Sequence, residues 1–206
     1  MIFLGCDGGS TKTEWLLVDH TGQVLAHRIF PGCNFAFWGE DGFRDLMVRS
    51  VQTLLADSGI TSQQITSAML SLTVYGEVPG TEEFFPQVMQ SILPDCPLQF
   101  SNDSVAGWCG SLAGRPGINI VAGSVAYGQD SAGNASRVGG WSLFFADEGS
   151  CSWVARQMIT EFVKQADGRH PRSAIYEELR QELSITHDLY FSGYLQTNVR
   201  QDSSLL

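Results

Sequence analysis

Residues 1–19 read MIFLGCDGGSTKTEWLLVD, so a glycine-rich segment stands between two apolar runs. The apolar runs at 2–6 and 14–19 predict strands, and a third predicted strand at 23–30 follows the turn residues Thr21 and Gly22. Short connections of this kind join neighbouring antiparallel strands. The opening of the chain is therefore predicted to be a three-stranded antiparallel meander.

After the meander, the predicted strands alternate with helices. Apolar side chains between 43 and 55 recur at spacings of three and four, which indicates one face of a helix. The remaining predictions are strands at 67–72 and 98–101 and helices at 82–93 and 103–113. Because helices that connect strands usually make those strands parallel, the pattern predicts an α/β fold with a partly parallel sheet.

A second group of elements follows the breaker residues at 114–117. Strands are predicted at 118–122, 125–129 and 136–138, and helices at 151–163 and 175–183, whereas 184–206 has no clear period. The early part of this group loosely repeats the opening pattern. We therefore predict a first domain over 1–115 and an incomplete second domain of the same type over 116–206.

Composition excludes several classes of protein. The 206 residues include 22 glycines and 7 prolines, too few for a low-complexity chain, and 12 basic against 22 acidic side chains leave a net charge of −10. Without a basic cluster, we expect neither nucleic-acid nor anionic-membrane binding. The start of the chain has no basic region before its short apolar run, so we expect no signal peptide or membrane span. The five cysteines include no CxxC pair, which favours reduced thiols in a cytoplasmic protein.

The glycine-rich segment 7–13 could hold a phosphate group. Its glycines allow a tight turn whose backbone N–H groups point at an anion, although a strand follows it and there is no Gly-Lys pair, unlike in a P-loop. An ordinary hairpin turn would have the same composition. Asp7, at the end of a strand beside such a loop, could hold Mg²⁺ through water.

Two further carboxylates stand where a strand gives way to a helix. Asp103 could be the N-cap of the helix that follows it, or a general base that takes a proton from an attacking hydroxyl. Asp147 or Ser150 could likewise cap the helix predicted from 151. The residue types alone leave both pairs of alternatives open.

Several segments taken together resemble a known family, the N-acetylglucosamine kinase and BadF/BadG/BcrA/BcrD ATPase group of the actin, hexokinase and Hsp70-like superfamily. The resemblance is carried, in order, by DGGSTKTEWLLVD (7–19), PGCN ending at Asn34, LSLTVYG (70–76), NDSVAG (102–107), NIVAG (119–123), AYG (126–128), GGW (139–141), DEGS (147–150) and DGR (167–169). Each segment is weak alone, but their order and spacing are specific.

The resemblance implies two RNase H-like domains and ATP-dependent phosphorylation of an amino sugar, N-acetylglucosamine or glucosamine. Asp7 would organise Mg²⁺, and Asp103 would be the catalytic base. The ATP-binding residues it implies are Asp7, Gly8, Gly9, Ser10, Thr11 and Lys12 in a first phosphate loop, and Gly123 and Ser124 in a second. The sugar-binding residues it implies are Asn34, Ser71, Asp103, Trp141 and Asp147.

Two departures from the family pattern leave alternatives open. The second phosphate loop, AGSVAYG at 122–128, is two residues shorter than the usual AGTGSIAYG, and the last third of the family pattern, with its adenosine-binding segment, has no counterpart, as in a C-terminally truncated chain. A non-catalytic sugar-binding or regulatory relative is one alternative. An activator ATPase of a 2-hydroxyacyl-CoA dehydratase is another, although GGW and DEGS favour a kinase. A homodimer is a further expectation, because truncation would expose apolar surface.

Overall fold

The computed structural model describes residues 1–121, 125–141 and 146–198. The chain divides into two compact units. The N-terminal unit consists of Met1–Asn119 and Ala126–Arg137, and the C-terminal unit consists of Ile120–Val125 and Val138–Leu206. Each unit has a hydrophobic core of its own.

The N-terminal unit contains a five-stranded sheet. Its strands are β1 (Ile2–Gly8), β2 (Lys12–Asp19), β3 (Val24–Pro31), β4 (Ile65–Leu72) and β5 (Leu98–Ser101), in the order β3-β2-β1-β4-β5. The pairs β1–β2 and β2–β3 are antiparallel, whereas β4 is parallel to both β1 and β5. The predicted meander and the predicted α/β fold are therefore confirmed.

Three helices accompany this sheet: α1 (Phe35–Ser58), α2 (Thr81–Ile92) and α3 (Asp103–Leu112). The helix predicted from the apolar spacing at 43–55 is confirmed, and α1 begins earlier than that spacing, at Phe35, where the Asn34 side chain accepts a hydrogen bond from the Ala36 N–H. Gly39 lies inside α1 with φ 62° and ψ −173°, a conformation that interrupts the helix. This kink breaks the regular apolar spacing, so the spacing marks only the later part of α1.

One face of the sheet is buried against α1 and α2. Alternate residues of the strands point to this face, among them Leu4, Trp15 and Leu70. The Phe43 ring of α1 stacks on the Phe85 ring of α2 with centroids 4.2 Å apart. The residues between these buried positions point to the opposite face, where α3 contacts β1 and β4.

The later part of the chain forms three strands and three helices. The strands β6 (Gly117–Val121), β7 (Val125–Gln129) and β8 (Ala135–Gly139) form a separate sheet in the order β6-β7-β8. The helices are α4 (Cys151–Ala166), α5 (Ala174–Glu182) and α6 (Tyr190–Asn198).

The helices of the C-terminal unit share a small core of Phe162, Tyr176, Ile185 and Phe191. Helix α6 was not predicted, because the sequence from 184 onward has no helical period. Phe191 of α6 belongs to this buried cluster and Leu195 packs against it, and two apolar positions are too few to establish a helical period.

No helix within residues 1–121, 125–141 and 146–198 is long and apolar enough to cross a membrane.

Candidate functional site

The segment between β1 and β2 is held by the segment that precedes α1. The Gly32 N–H donates to the Thr11 carbonyl at 3.1 Å, and the Cys33 N–H donates to the Gly9 carbonyl at 3.0 Å. A Cβ on Gly32 would lie 2.0 Å from the Ser10 carbonyl oxygen, closer than nonbonded atoms can approach. Glycine at position 32 therefore allows the two backbones to pack together and define the predicted phosphate loop.

Side chains make a second connection to this loop. The Asn34 Nδ2 group donates to Ser10 Oγ at 3.1 Å, while Asn34 Oδ1 caps α1. On the other side, Ser10 Oγ lies 3.4 Å from Thr73 Oγ1, just beyond the end of β4. Asn34 was predicted to bind sugar, and in this structure it joins the loop to the start of α1.

Lys12, the cation of the predicted phosphate loop, forms an ion pair with Glu14. Its Nζ lies 2.7 Å from Glu14 Oε2, and His27 Nε2 lies 2.8 Å from Glu14 Oε1. The hydrogen bond to Glu14 raises the pKa of Lys12, and the hydrogen bonds from Lys12 and His27 lower the pKa of Glu14. A phosphate approaching the loop would therefore meet an ammonium group that already shares its charge with a carboxylate.

Asp7 lies near the end of β1 on the face of the sheet away from α1 and α2. Its neighbours in register are Glu14 on β2 and Ser71 on β4. The side chain is exposed at an open pocket of about 760 Å³ that lies between this face and Val105, Ala106 and Cys109 of α3. The pocket walls still desolvate the carboxyl group and raise the pKa of Asp7; the positive charge of Lys12 opposes that shift, whereas Glu14 adds to it.

Asp103 is the first residue of α3, and the helix is capped by its neighbour. Asn102 Oδ1 accepts the Ser104 N–H at 3.2 Å, so Asn102 is the N-cap and Asp103 is free of that role. Partial burial, followed by the negative charges of Glu77 and Asp7, raises the pKa of Asp103, while the Ser104 amide and Arg137 oppose the shift. A carboxylate in this environment holds a proton more readily than an exposed aspartate, as a general base must.

Ser71 is buried at the point where β4 lies between β1 and β5. Its hydroxyl is 2.7 Å from the hydroxyl of Ser101, its neighbour in register at the end of β5. Ser101 was not predicted as a site residue, although it directly precedes the NDSVAG segment. The pair links the strand beside Asp7 to the strand that leads into Asp103.

The predicted residues of the C-terminal unit lie on the connection between β8 and α4. Trp141 is 83% exposed. Asp147 has φ 58°, and its Oδ1 is buried without a hydrogen-bond partner among the described residues. Ser150 Oγ accepts the Trp153 N–H at 3.0 Å, so Ser150 caps α4 and Asp147 does not. Gly123 and Ser124 lie outside the described residues.

The predicted residues are thus divided between the two units. The N-terminal unit brings together Asp7, Gly8, Gly9, Ser10, Thr11, Lys12, Asn34, Ser71 and Asp103, and the C-terminal unit contains Trp141 and Asp147.

Comparison with known families identifies the chain. The model of the BadF/BadG/BcrA/BcrD ATPase family matches residues 4–199. The chain belongs to this family.

Two curated proteins are similar to this chain in sequence. The N-acetyl-D-glucosamine kinase of Dictyostelium discoideum is 25% identical over 200 residues, which are 91% of this chain and 62% of that protein. The N-acetylmuramic acid/N-acetylglucosamine kinase of Clostridium acetobutylicum is 22% identical, over 95% of this chain and 66% of its own. This chain therefore spans less than two thirds of the length of either relative.

Solved structures of two bacterial proteins share the fold. Both carry the provisional name N-acetylglucosamine kinase. The Porphyromonas gingivalis protein superposes with a TM-score of 0.67 at 20% identity, covering 98% of this chain and 67% of its own. The Chromobacterium violaceum protein superposes with a TM-score of 0.64 at 20% identity, covering 87% of this chain and 63% of its own.

The donor atoms in this BadF/BadG/BcrA/BcrD family member fit a hard cation near Asp7. The Asp7 carboxylate accepts no hydrogen bond from any described residue, and its charge raises the pKa of Asp103. Oxygen ligands of this kind suit Mg²⁺, which usually keeps several waters and needs few protein carboxylates. In the described part of the chain, no group of three or more His, Cys, Asp or Glu side chains could hold a metal alone.

Proposed function

We propose that this protein is an amino-sugar kinase, which transfers the terminal phosphoryl group of ATP to a hydroxyl of N-acetylglucosamine or glucosamine. The curated relatives carry N-acetylglucosamine kinase activity in their names, and two similarly named structures share the fold. Because the chain spans only part of the relatives' length, the activity is proposed from its own residues as well.

The observation that carries this proposal is the approach of two carboxylates at one edge of the sheet. Asp7 leaves β1 beside the predicted phosphate loop, and Asp103 starts α3 directly after β5. Because β4 is parallel to both β1 and β5, the carboxyl ends of these strands, and with them Asp7 and Asp103, lie at the same end of the sheet. One carboxylate beside a phosphate loop and a second with a raised proton affinity form the pair that phosphoryl transfer to an alcohol requires.

Asp103 is the proposed catalytic base. It accepts the proton of the sugar hydroxyl while that oxygen forms a bond to the terminal phosphorus of ATP and the bond from that phosphorus to the bridging oxygen of ADP breaks. The proton ends on Asp103, and the electron pair of the broken bond leaves with ADP. Its pKa, raised by burial and by nearby negative charge, favours this transfer.

The loop Gly8–Lys12 would bind the phosphates of ATP. Its backbone is held against Gly32 and Cys33, so little ordering remains to be done when the nucleotide binds. Lys12 would exchange part of its interaction with Glu14 for the phosphate charge. Asp7 would hold Mg²⁺ through water, and Mg²⁺ when bound would neutralise phosphate charge.

Residues of each unit are proposed separately to bind sugar. In the N-terminal unit, Asn34 and Ser71 would do so beside Asp103, and in the C-terminal unit Trp141 and Asp147 have sugar-binding chemistry of their own. Trp141 has an open indole face, which is suited to packing on a sugar ring. Asp147 Oδ1, which is buried and has no hydrogen-bond partner among the described residues, could accept a hydrogen bond from a sugar hydroxyl or amide.

Three finer expectations belong to the same proposal. The order β3-β2-β1-β4-β5, antiparallel on one side of β1 and parallel on the other, supports an RNase H-like description of the N-terminal unit. The five free thiols support a reducing, cytoplasmic environment. A homodimer stays a prediction.

The test is ADP release from MgATP by the purified chain, with N-acetylglucosamine, glucosamine, glucose or no sugar, and with mass spectrometry of the sugar product. We expect turnover that depends on an amino sugar and a product heavier by one phosphoryl group. Glucose is the matched control, because it lacks the nitrogen at carbon 2.

A parallel thermal-shift series separates the alternatives. Stabilisation by the amino sugar without turnover would contradict the kinase proposal and favour a sugar-binding relative, because a ligand that binds the folded state raises its Tm. Sugar-independent ATP hydrolysis by a protein that contains iron would instead indicate an activator ATPase.

A further inference from the structure

Glu77 lies in the connection between β4 and α2, and its contacts lead to Asp103. The Asn102 Nδ2 group donates to Glu77 Oε1 at 2.7 Å. The Arg137 guanidinium donates to the same oxygen and forms an ion pair with Glu77. Glu77 was not predicted as a site residue, although it directly follows the LSLTVYG segment.

The contact with Glu77 fixes which way the Asn102 amide faces. A carboxylate can only accept hydrogen bonds, so it takes the NH₂ end of the amide. The oxygen end, Oδ1, is then directed at α3, where it accepts the Ser104 N–H at 3.2 Å and the Ser104 Oγ–H at 2.8 Å. Glu77 therefore stabilises the orientation in which Asn102 caps the helix that begins with Asp103.

The turn that contains Glu77 has a strained backbone, which hydrogen bonds hold in place. Val74 has φ 60°, a left-handed conformation that is unfavourable for a β-branched residue. The Glu77 N–H donates to the Val74 carbonyl at 3.0 Å, and Thr81 Oγ1 accepts the Gly76 N–H at 3.2 Å. A strained conformation that several hydrogen bonds maintain is common at functional sites.

We propose that Glu77 is a positioning residue, which acts through Asn102 to fix the start of α3 and thereby the direction in which Asp103 presents its carboxylate to the attacking hydroxyl. The inference rests on the proposed function, because it assigns Glu77 to the same phosphoryl transfer. Glu77 does not touch the reacting atoms in this scheme. Glu77 instead controls how often the Asp103 carboxylate is aligned with the attacking hydroxyl.

The kinetic test compares Glu77→Ala and Glu77→Gln with wild type in the sugar-dependent assay. Glu77→Ala removes the acceptor, and we expect kcat to fall about 10- to 100-fold, the loss that a small misalignment can cause. The KM values for sugar and MgATP should change less than about 2-fold, because Glu77 lies outside both proposed binding sets. Glu77→Gln keeps an acceptor oxygen for Asn102, so it should restore most of kcat.

Glu83→Ala is the matched control. Glu83 is an exposed glutamate at the start of α2, and neither a hydrogen bond nor an ion pair holds its carboxylate within the described residues. Its replacement should leave kcat at the wild-type value. Circular dichroism of all variants would establish that each one is folded.

Hydrogen exchange of the Ser104 amide gives a readout that does not depend on turnover. In Glu77→Ala this amide should exchange faster, while the amides of β1 keep wild-type protection. Unchanged exchange at Ser104 would overturn the proposed link between Glu77 and the cap.

The outcomes separate this inference from the proposed function. Sugar-dependent turnover in wild type together with an unchanged kcat in Glu77→Ala would overturn the role of Glu77 and leave the kinase proposal intact. The role of Glu77 is also overturned if Glu77→Gln is as slow as Glu77→Ala, because the acceptor oxygen is then not the cause. No turnover in wild type would contradict the kinase proposal and with it a role in proton transfer, and Ser104 exchange would still decide whether Glu77 holds the cap.

Discussion

The N-terminal unit carries its candidate residues on the ends of a sheet with a large core, whereas the C-terminal unit carries them on a connection beside a small helical core. On the N-terminal side, Trp15, Phe43 and Phe85 belong to one continuous buried cluster beneath the strands. On the C-terminal side, the buried cluster is confined to α4–α6 and the segment between α5 and α6, and Trp141 is not part of it. In a packed sheet, strand register fixes the positions of the side chains. In a connection between elements, the local turns must fix those positions.

The two aspartates Asp7 and Asp147 illustrate this difference. Asp7 takes its position from strand register, with Ser71 and Glu14 as fixed neighbours. Asp147 takes its position from a left-handed turn at φ 58°, and its Oδ1 is buried without a described partner. The first arrangement follows from the fold, and the second depends on local backbone geometry.

The largest effect on kcat is expected for Asp103→Asn, which tests the site that the sheet of the N-terminal unit positions. Removal of a general base costs about 10²- to 10⁴-fold in rate, so kcat of the sugar-dependent reaction should fall by that amount while the KM values change little. Asp95→Asn, on an exposed loop, is the control. An unchanged kcat for Asp103→Asn would remove Asp103 from the mechanism.

The same substitution should change the pH dependence of stability. The pKa of Asp103 is raised in the folded state, so the native protein binds this proton more tightly than the unfolded chain does. Stability from this group is therefore greatest at low pH and is lost as pH rises from the ordinary aspartate range through the raised pKa. At neutral pH, Asp103→Asn should raise the Tm, and the gain should disappear in acid; a lower Tm at neutral pH would contradict this.

Core truncations compare the two units directly. Phe85→Ala and Phe162→Ala each remove a fully buried ring, and such changes cost about 3–5 kcal/mol in the free energy of unfolding. Hydrogen exchange should locate the damage in β1–β4 for Phe85→Ala and in α4–α6 for Phe162→Ala. Equal loss of protection in both units for either variant would mean that the two cores are one cooperative system.

Gly32→Ala tests whether backbone contact defines the phosphate loop. The added Cβ would lie 2.0 Å from the Ser10 carbonyl, and relief of such a clash costs about 1–3 kcal/mol and should displace the loop. We expect a lower Tm and a smaller further stabilisation by MgATP. Gly110→Ala is the control, because its Cβ would meet nothing within 4 Å and alanine favours a helix by about 0.5–1 kcal/mol.

The smallest effect is expected for Ser150→Ala at the start of α4. Loss of the Oγ acceptor for the Trp153 N–H should cost about 1 kcal/mol, measured by denaturant unfolding followed by tryptophan fluorescence. Ser150→Asp preserves the cap and should restore stability. A full effect in both variants would show that Ser150 stabilises the unit by something other than capping.

Sequence patterns predicted the helices and strands that have a regular apolar spacing and are bounded by turn or capping residues. The strands on both sides of the glycine-rich segment, the later part of α1 and the start of α3 at Asp103 follow from such signals. The beginning of α1 and the whole of α6 were not predicted, because Gly39 interrupts the apolar period of α1 and only Phe191 and Leu195 connect α6 to its core.

For the candidate site, the sequence by itself predicted which residues could carry chemistry and on which elements they lie, including Asp7 near the end of a strand and Asp103 at a helix start. Only the tertiary structure decided what surrounds them: Ser71 beside Asp7, Asn34 on the loop serine, and Glu77 behind Asn102. Periodicity and turn chemistry act between residues that are near in the chain. The contacts that raise the pKa of Asp103 and orient the Asn102 amide join residues far apart in sequence, and those contacts exist only once the sheet has formed.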